Sequence, residues 1–490
     1  MTTLIDERNC RCCNNECHVC KDIIGYQYKW NVSEIKDDSG SYVNLEYITH
    51  YDIPGTNKTV FIGCGPKINI NKKNYIQFYY STDLKDWDTN DNLKCEYNYN
   101  SKGIACDPNT GIFAAIAFGR NSNIGYTDLI YGKINVTDSD NITFSKCNII
   151  ALDTYNPVNE KPSHTESWTV AYDGSNEKDI SGFLVAGVAY SESENLSGNE
   201  VCTTNTSLRY WVKINANKLG KDDACTKHCF HPPSLNSFFR YIYYDKYNKR
   251  YIIIGDNNFI AYTNELVFIS DSSVGESNRN LKLDVENWII TGEDNTTHFP
   301  HTFGNIDSEG LTQYKSPHHQ WLTYNPDDNV YVIVGNYGEI YYTNDINSPK
   351  WNHCPITYDP KRHLQSIVYD RYNKLYVTVG YDKAILVSKD LNSKWYELSE
   401  TTPGANYNLQ QVYYHDKFGV IILSNGYCIW SKKVEPVKRE RLYNICLDAI
   451  LPVGYQITKT ERRNPAMDYR VGVWQSKENS DSTITYTRIV

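Results

Sequence analysis

WLTYNPDDNVYVIVGNYGEIYYTNDINSPKW, residues 321–351, and SIVYDRYNKLYVTVGYDKAILVSKDLNSKW, residues 366–395, are one pattern written twice. Each starts apolar, turns through Asn/Asp, runs as alternating Val and Tyr to a Gly, alternates again, and ends in Asp and Trp. Gly335 and Gly380 stand 45 residues apart, as do Asp345 and Asp390. In LYVTVG, Leu375, Val377 and Val379 point one way and Tyr376 and Thr378 the other, the period of a strand packed on both faces. A repeat of this length built from such runs predicts four-stranded antiparallel blades.

The pattern extends in both directions. Upstream units start at Tyr47 (through FIGCG and YYSTDLKDW), at Gly103, near Trp168 and at Phe238; Asp83 and Asp128 are again 45 residues apart. A last unit begins at Gln410 and stops one strand short, with no Trp-bearing strand after Ser431. YQYKWNVSEI, residues 26–35, reads like that missing outer strand. The expectation is an all-β chain: a seven-bladed β-propeller over 25–433, closed by the N-terminal strand, with a Cys-rich segment over 1–24 and a small C-terminal β module over 434–490. Closure of this kind removes two free sheet edges.

Composition narrows the function classes. A net charge of -9 gives no reason to expect nucleic acid as a partner. No apolar run reaches spanning length and MTTLIDERNCRCC has no apolar core, so neither a membrane span nor a secretory signal is expected. Phosphate-binding Gly loops, a nucleophile-elbow Ser and an HExxH helix are all missing from the sequence.

The endings YYSTDLKDW, YYTNDINSPKW and LVSKDLNSKW resemble degenerate Asp-boxes, the Ser-x-Asp turns of sialidase-like propellers. The resemblance implies a structural role for Ser81, Asp83 and Trp87, for Asp345 and Trp351 with Thr343 in place of Ser, and for Ser388, Asp390 and Trp395: Ser and Asp brace a turn and Trp packs between blades. Sialidases carry an early Arg-Ile-Pro-like motif; here YDIPG puts Asp52 where the Arg belongs, which argues against sialidase activity, although other glycan-cleaving propellers need only a carboxylate pair.

Two stretches read as insertions, where propellers keep function. The first, 191–237, holds Cys225, His228, Cys229 and His231, open to disulfide, zinc or free-thiol readings. The second, 291–320, holds His298, His301, His318 and His319, open to metal-binding and pH-sensing readings, with a solvated polar loop as the default. Cys10, Cys12, Cys13, Cys17 and Cys20 crowd CRCCNNECHVC too tightly for a usual structural zinc fold, leaving disulfides within or between chains, metal, or reduced thiols. No cofactor is expected, zinc being the one candidate.

The end of the chain resembles modules at the ends of phage tail-fibre and baseplate proteins and some giant-virus structural proteins, through Pro452, Val453, Gly454, Asn464, Pro465, Gly472, Trp474, Tyr486 and Arg488. Tyr455 and Val473 depart from that pattern. The resemblance implies a virion protein, made in the host cytoplasm, whose partners are other virion proteins or itself and a host surface glycan or protein. The expected function is a viral structural protein with the propeller as binding head for attachment or for capsid or fibre assembly. A glycan-active hydrolase or lyase and a cytosolic interaction scaffold are the alternatives.

Overall fold

The computed structural model describes residues 21–121, 124–138, 141–151, 154–156, 161–173, 182–191, 208–215, 225–230, 239–256, 258–263, 282–283, 289–291, 304–306, 312–314, 318–348, 351–354, 363–392, 395–398, 408–440, 456–459, 474–479 and 484–488. It divides into two compact units, Tyr28–Lys433 and the pair of end segments Met1–Gln27 and Val434–Val490. Among the described residues the only helical elements are short 3-10 turns, such as Asp91–Leu93.

The larger unit is an all-β array of sheets, antiparallel except where Cys225–Phe230 runs parallel to Lys282–Leu283, and its principal sheets follow in chain order. In the fifth sheet His319–Asn325, Val330–Gly335, Ile340–Thr343 and Asn352–His353 pair in sequence. The sixth repeats this with Leu364–Asp370, Leu375–Gly380, Ile385–Ser388 and Tyr396–Glu397, and the fourth with Phe239–Asp245, Arg250–Gly255, Ile260–Thr263 and Ile289–Thr291. The first sheet has three strands, Tyr47–Asp52, Thr59–Cys64 and Tyr79–Ser81. The second is built on Asn100–Cys106, Ile112–Asn121 and the long Ile124–Asp138; the third on Lys161–Asp173, Gly182–Ser191, Leu208–Asn215 and Cys225–Phe230. In the last sheet Val412–His415, Gly419–Ser424 and Tyr427–Ser431 are joined by Asn31–Glu34, with Asn31 opposite Trp430 and Glu34 opposite Tyr427.

Each second strand is buried on both faces, and alternate residues serve different neighbours. Val332 and Val334 pack with Leu364 and Ile367 of the sixth sheet, whereas Tyr331 and Ile333 pack with Ile252 and Ile254 of the fourth. Val60 and Ile62 pack with Phe113 and Ala115 of the second sheet, while Phe61 meets Ile421, Leu423 and Trp430 of the last. A strand sandwiched in this way needs apolar residues at every position, which is why the runs look continuous while still alternating. Each fully buried Val, Ile or Phe contributes about 1.5–3 kcal/mol to this stacking.

Polar residues ending first strands tie the stack together. Asp245 accepts the backbone N–H groups of Tyr247 and Asn248 in its own turn, and also the hydroxyl of Tyr331 from the next sheet. Asn325 meets the hydroxyl of Tyr376 at 2.7 Å. Asp370 should find its Tyr on the last sheet, but Val420 stands opposite Tyr414 where Tyr376 stands opposite Tyr369. Tyr28, fully buried, fills the role and donates to Asp370 at 2.8 Å.

The third-strand turns are braced locally. Ser81 Oγ accepts from the Leu84 N–H at 2.8 Å, and Asp83 Oδ1 accepts from Lys85 and Asp86. Thr343 and Ser388 donate to the carbonyls of Asp345 and Asp390 at 2.8 Å, while each Asp carboxylate caps the amide two residues on. Trp351 packs between the fourth and fifth sheets, Trp395 between the fifth and sixth, and Trp87 against the cluster shared by the first and last.

Several expectations are corrected. Asp128 lies inside the strand Ile124–Asp138, accepting from the Tyr97 hydroxyl, so its 45-residue distance from the turn residue Asp83 is not a structural equivalence. Cys225, His228 and Cys229 are not in a loop: Cys225–Phe230 is a strand paired along Leu208–Asn215. His318 and His319 are not on a solvated loop either, because His319 opens the first strand of the fifth sheet and is fully buried. The outer strand expected over 26–35 is split: Asn31–Glu34 joins the last sheet, whereas Lys21–Tyr28 pairs with Val434–Glu440. Cys10, Cys12, Cys13, Cys17, Cys20, His231, His298 and His301 lie outside the described residues. In the end-segment unit, Gln456–Lys459, Ile484–Arg488 and Trp474–Glu478 form a three-stranded antiparallel sheet in which Trp474 stands opposite Arg488.

Candidate functional site

First strands begin at one end of their sheets, and the second-to-third turns return to that same end. The two sets of residues bring charged groups from different sheets together. Arg240 grips Asp256 with two hydrogen bonds, Nε to Oδ1 at 2.6 Å and an Nη to Oδ2 at 2.8 Å. His318 Nδ1 lies 3.0 Å from the same Oδ1. Burial works to raise the Asp256 pKa; hydrogen bonding and charge from His318 and Arg240 outweigh it and hold the carboxyl below its usual range.

From there the cluster continues around the array. His363 accepts the Tyr337 N–H at 3.2 Å and sits edge-on to both Tyr337 and Tyr381. Burial, and next the charge of His318, lower the His363 pKa and keep it neutral. Tyr381 is close enough to feel both Arg240 and Glu46. Burial raises the Glu46 pKa, with Lys102 of the second sheet pulling the other way. An arginine, a lysine, two histidines, two carboxylates and two tyrosines from five sheets are thus linked, neighbour to neighbour, at this end of the array, which forms a polar mouth in the sense of shared contacts and charge. Arg240 and His318 keep 18% and 30% of their side-chain surface in solvent, so an arriving ligand can reach them.

A second polar site lies at the opposite ends of the first strands, where the first and last sheets meet. His50 and Asp52 come from Tyr47–Asp52, and Tyr413 and His415 from Val412–His415. His50 Nδ1 is 2.6 Å from the Tyr413 hydroxyl, its Nε2 is 3.5 Å from Asp52 Oδ2, and His415 Nε2 is 3.3 Å from Asp52 Oδ1. The hydrogen bond to His50 is the main cause of a strongly lowered Asp52 pKa. The trio faces an open cleft of about 770 Å³ shared with Lys58, Arg371, Asp416 and Lys417.

Sequence reading missed both sites. One signal was present: Asn325, Asp370 and His415 recur at 45-residue steps, as do His318 and His363. Polar residues at a fixed phase of an apolar repeat mark the strand ends. Which of them meet depends on how neighbouring sheets stack.

Glu339, on the turn beside this mouth, is 1% exposed and accepts the Tyr341 hydroxyl at 2.5 Å. Burial pushes its pKa up to about 7, with Tyr341 opposing. Below its ordinary value of 4.5 the carboxyl is protonated in both states and costs nothing. As pH rises toward 7 only the unfolded chain gives up its proton, so stability falls, by about 3 kcal/mol in all. His319 and His353, held neutral by burial with pKa values lowered to about 3 and about 4, act in the opposite sense on acidification. Comparison with Glu339→Gln isolates the carboxyl: urea midpoints should match near pH 4 and favour the variant near pH 8.

No family model matches the sequence, and no curated protein matches it either. Similar solved structures include the WD40 β-propeller domain of Doa1, at 10% identity over 84% of this chain and 98% of that one, with a TM-score of 0.42. YCF48 bound to D1 peptide is 11% identical over 82% and 95%, TM-score 0.42. Sqt1 of Chaetomium thermophilum is 8% identical over 82% and 98%, TM-score 0.43. Likeness this distant says nothing of function. The assignment of the larger unit to the β-propeller type rests on its own serial antiparallel sheets, stacked through their second strands.

Proposed function

We propose that the chain is a viral structural protein whose propeller, a closed ring of seven blades, is a binding head for a carboxylate-bearing glycan or protein of the host surface. The observation that carries the reading is the polar mouth, where Lys102 and the solvent-facing edge of the Asp256-bound Arg240 offer donors to an incoming polar group while Tyr337, Tyr381 and His363 offer ring faces. Contacts of Phe61 with the last sheet, and of Ile48 N–H with Gln411 Oε1 at 2.8 Å, support ring closure. The C-terminal resemblance and the cysteine-rich start support a place in a particle, with other virion proteins or further copies of the chain as partners. Binding to immobilised acidic glycans and host-cell extracts should fall at least tenfold in Lys102→Ala and in Arg240→Lys, which keeps charge but loses the two-pronged grip. Equal binding by both variants would remove the mouth from recognition, and failure to find the chain in purified particles would remove the virion.

One observation favours a second reading, a glycan-active enzyme. Glu46, its pKa raised by burial, shares the mouth with Tyr381 and Arg240, and a raised carboxyl is what a general acid requires. Turnover of acidic glycans that is abolished in Glu46→Gln while binding persists would decide for the enzyme.

A further inference from the structure

We propose that His50, Asp52 and His415 form a zinc site with its fourth position open to the cleft at the seam of the first and last sheets. Their donor atoms all lie within 4.8 Å of one another. The separations of 3.5 Å and 3.3 Å from Asp52 to His50 and His415 are long for N–H···O hydrogen bonds, whose usual length is about 2.9–3.0 Å. They end on different carboxylate oxygens, Oδ2 toward His50 and Oδ1 toward His415, so metal–ligand bonds of about 2.0–2.1 Å require a small turn of the Asp52 carboxylate that gives one oxygen to the ion. Two imidazoles and a carboxylate are also the donor set of open, three-ligand zinc centres.

Surrounding groups orient the set. Tyr413, half-buried, engages His50 Nδ1 at 2.6 Å and turns Nε2 toward Asp52. Thr59 Oγ1 donates to Asp52 Oδ1 at 2.6 Å, leaving Oδ2 on the His50 side. Such outer contacts fix ligand direction in metal centres. One contact has to change. Lys417 N–H donates to His415 Nδ1 at 3.2 Å, which places the ring proton on Nε2. Zinc needs the other tautomer, so this long contact opens on binding and the turn 415–417 shifts. The cleft beyond, about 770 Å³, leaves room for water or a ligand oxygen on the metal.

The test uses the full chain with its thiols alkylated, so that cysteines cannot take the ion, and zinc as the only probe. Isothermal titration should give one tight equivalent for the wild type, and at least a tenfold loss of affinity in Asp52→Asn and in His50→Gln. Thr59→Val, which touches only the support of Asp52, should weaken binding about 10-fold to 100-fold. Cobalt substitution should give a four-coordinate d–d spectrum with no sulfur charge-transfer band. Circular dichroism on each variant separates loss of the site from loss of the fold. Zinc binding unchanged in variants that fold, or confined to the unalkylated chain, would overturn the site while leaving the polar mouth untouched.

Discussion

Gly380→Val is expected to destabilise the propeller unit by about 3 kcal/mol or more, seen as a lower urea midpoint with little change in slope. A Cβ built at Gly380 would lie 2.1 Å from the His363 carbonyl oxygen and 2.9 Å from the Leu364 Cα, both backbone atoms with no rotamer to yield. The close approach exists because the two strands slip register here: Gly380 faces Leu364, Val379 faces Ser366, and the Tyr381 N–H reaches back to His363 O at 2.9 Å. Gly335 and Gly65 are in the same position, 2.5 Å and 2.1 Å from the carbonyls of His318 and Asn44. Because His363 belongs to the polar mouth, the substitution should weaken ligand binding as well as stability. Tyr372→Ala, at a side chain 63% exposed, is the control and should change stability by no more than about 0.5 kcal/mol. A wild-type midpoint for Gly380→Val would mean that the slipped register is not a feature of the folded protein.

Trp351→Ala should cost about 3–5 kcal/mol, the range for emptying a large aromatic from a core. The side chain is fully buried and fills the seam between two sheets, against Tyr241, Ile252 and Tyr331 among others. Its loss opens a cavity lined by strands whose hydrogen bonds hold them apart, so collapse is limited and the cavity cost stays near the top of the range. Trp351→Phe should recover roughly half, since the ring still reaches the seam. Denaturant melts followed by far-ultraviolet circular dichroism measure both. A cost under about 1 kcal/mol for the alanine variant would show that this Trp does not bind the sheets together.

Much of this was legible beforehand for a local reason. Side-chain alternation in a strand has period two whatever the strand packs on, so Leu375–Gly380 declares itself from six residues. Gly335 and Gly380 recur because a backbone carbonyl crowds the same place in each sheet, and a steric demand repeats as faithfully as the repeat does. Reading failed where a residue's role depends on what lies across from it. Asp128 keeps the spacing but sits inside a longer strand. CTKHCF has too few apolar residues to look like a strand, yet it extends the edge of Leu208–Asn215, where pairing comes from the backbone. His318 and His319 looked solvated because their neighbours in the chain are polar; their neighbours in space are Asp256, Arg240 and Tyr341.

By itself the order of residues determined that this protein is built of antiparallel strands, in units about 45 residues long, with glycine at a fixed phase. Those features depend on backbone geometry and on contacts within one unit. Only the tertiary structure decided that Arg240, Asp256, His318, His363 and Glu46 meet at one mouth, that Tyr28 completes the bracing of Asp370, and that His50, Asp52 and His415 face each other across a seam. His50 and His415 are 365 residues apart, and no local preference of a chain specifies a neighbour at that distance. What places them is the stacking of sheets whose apolar faces must all be covered.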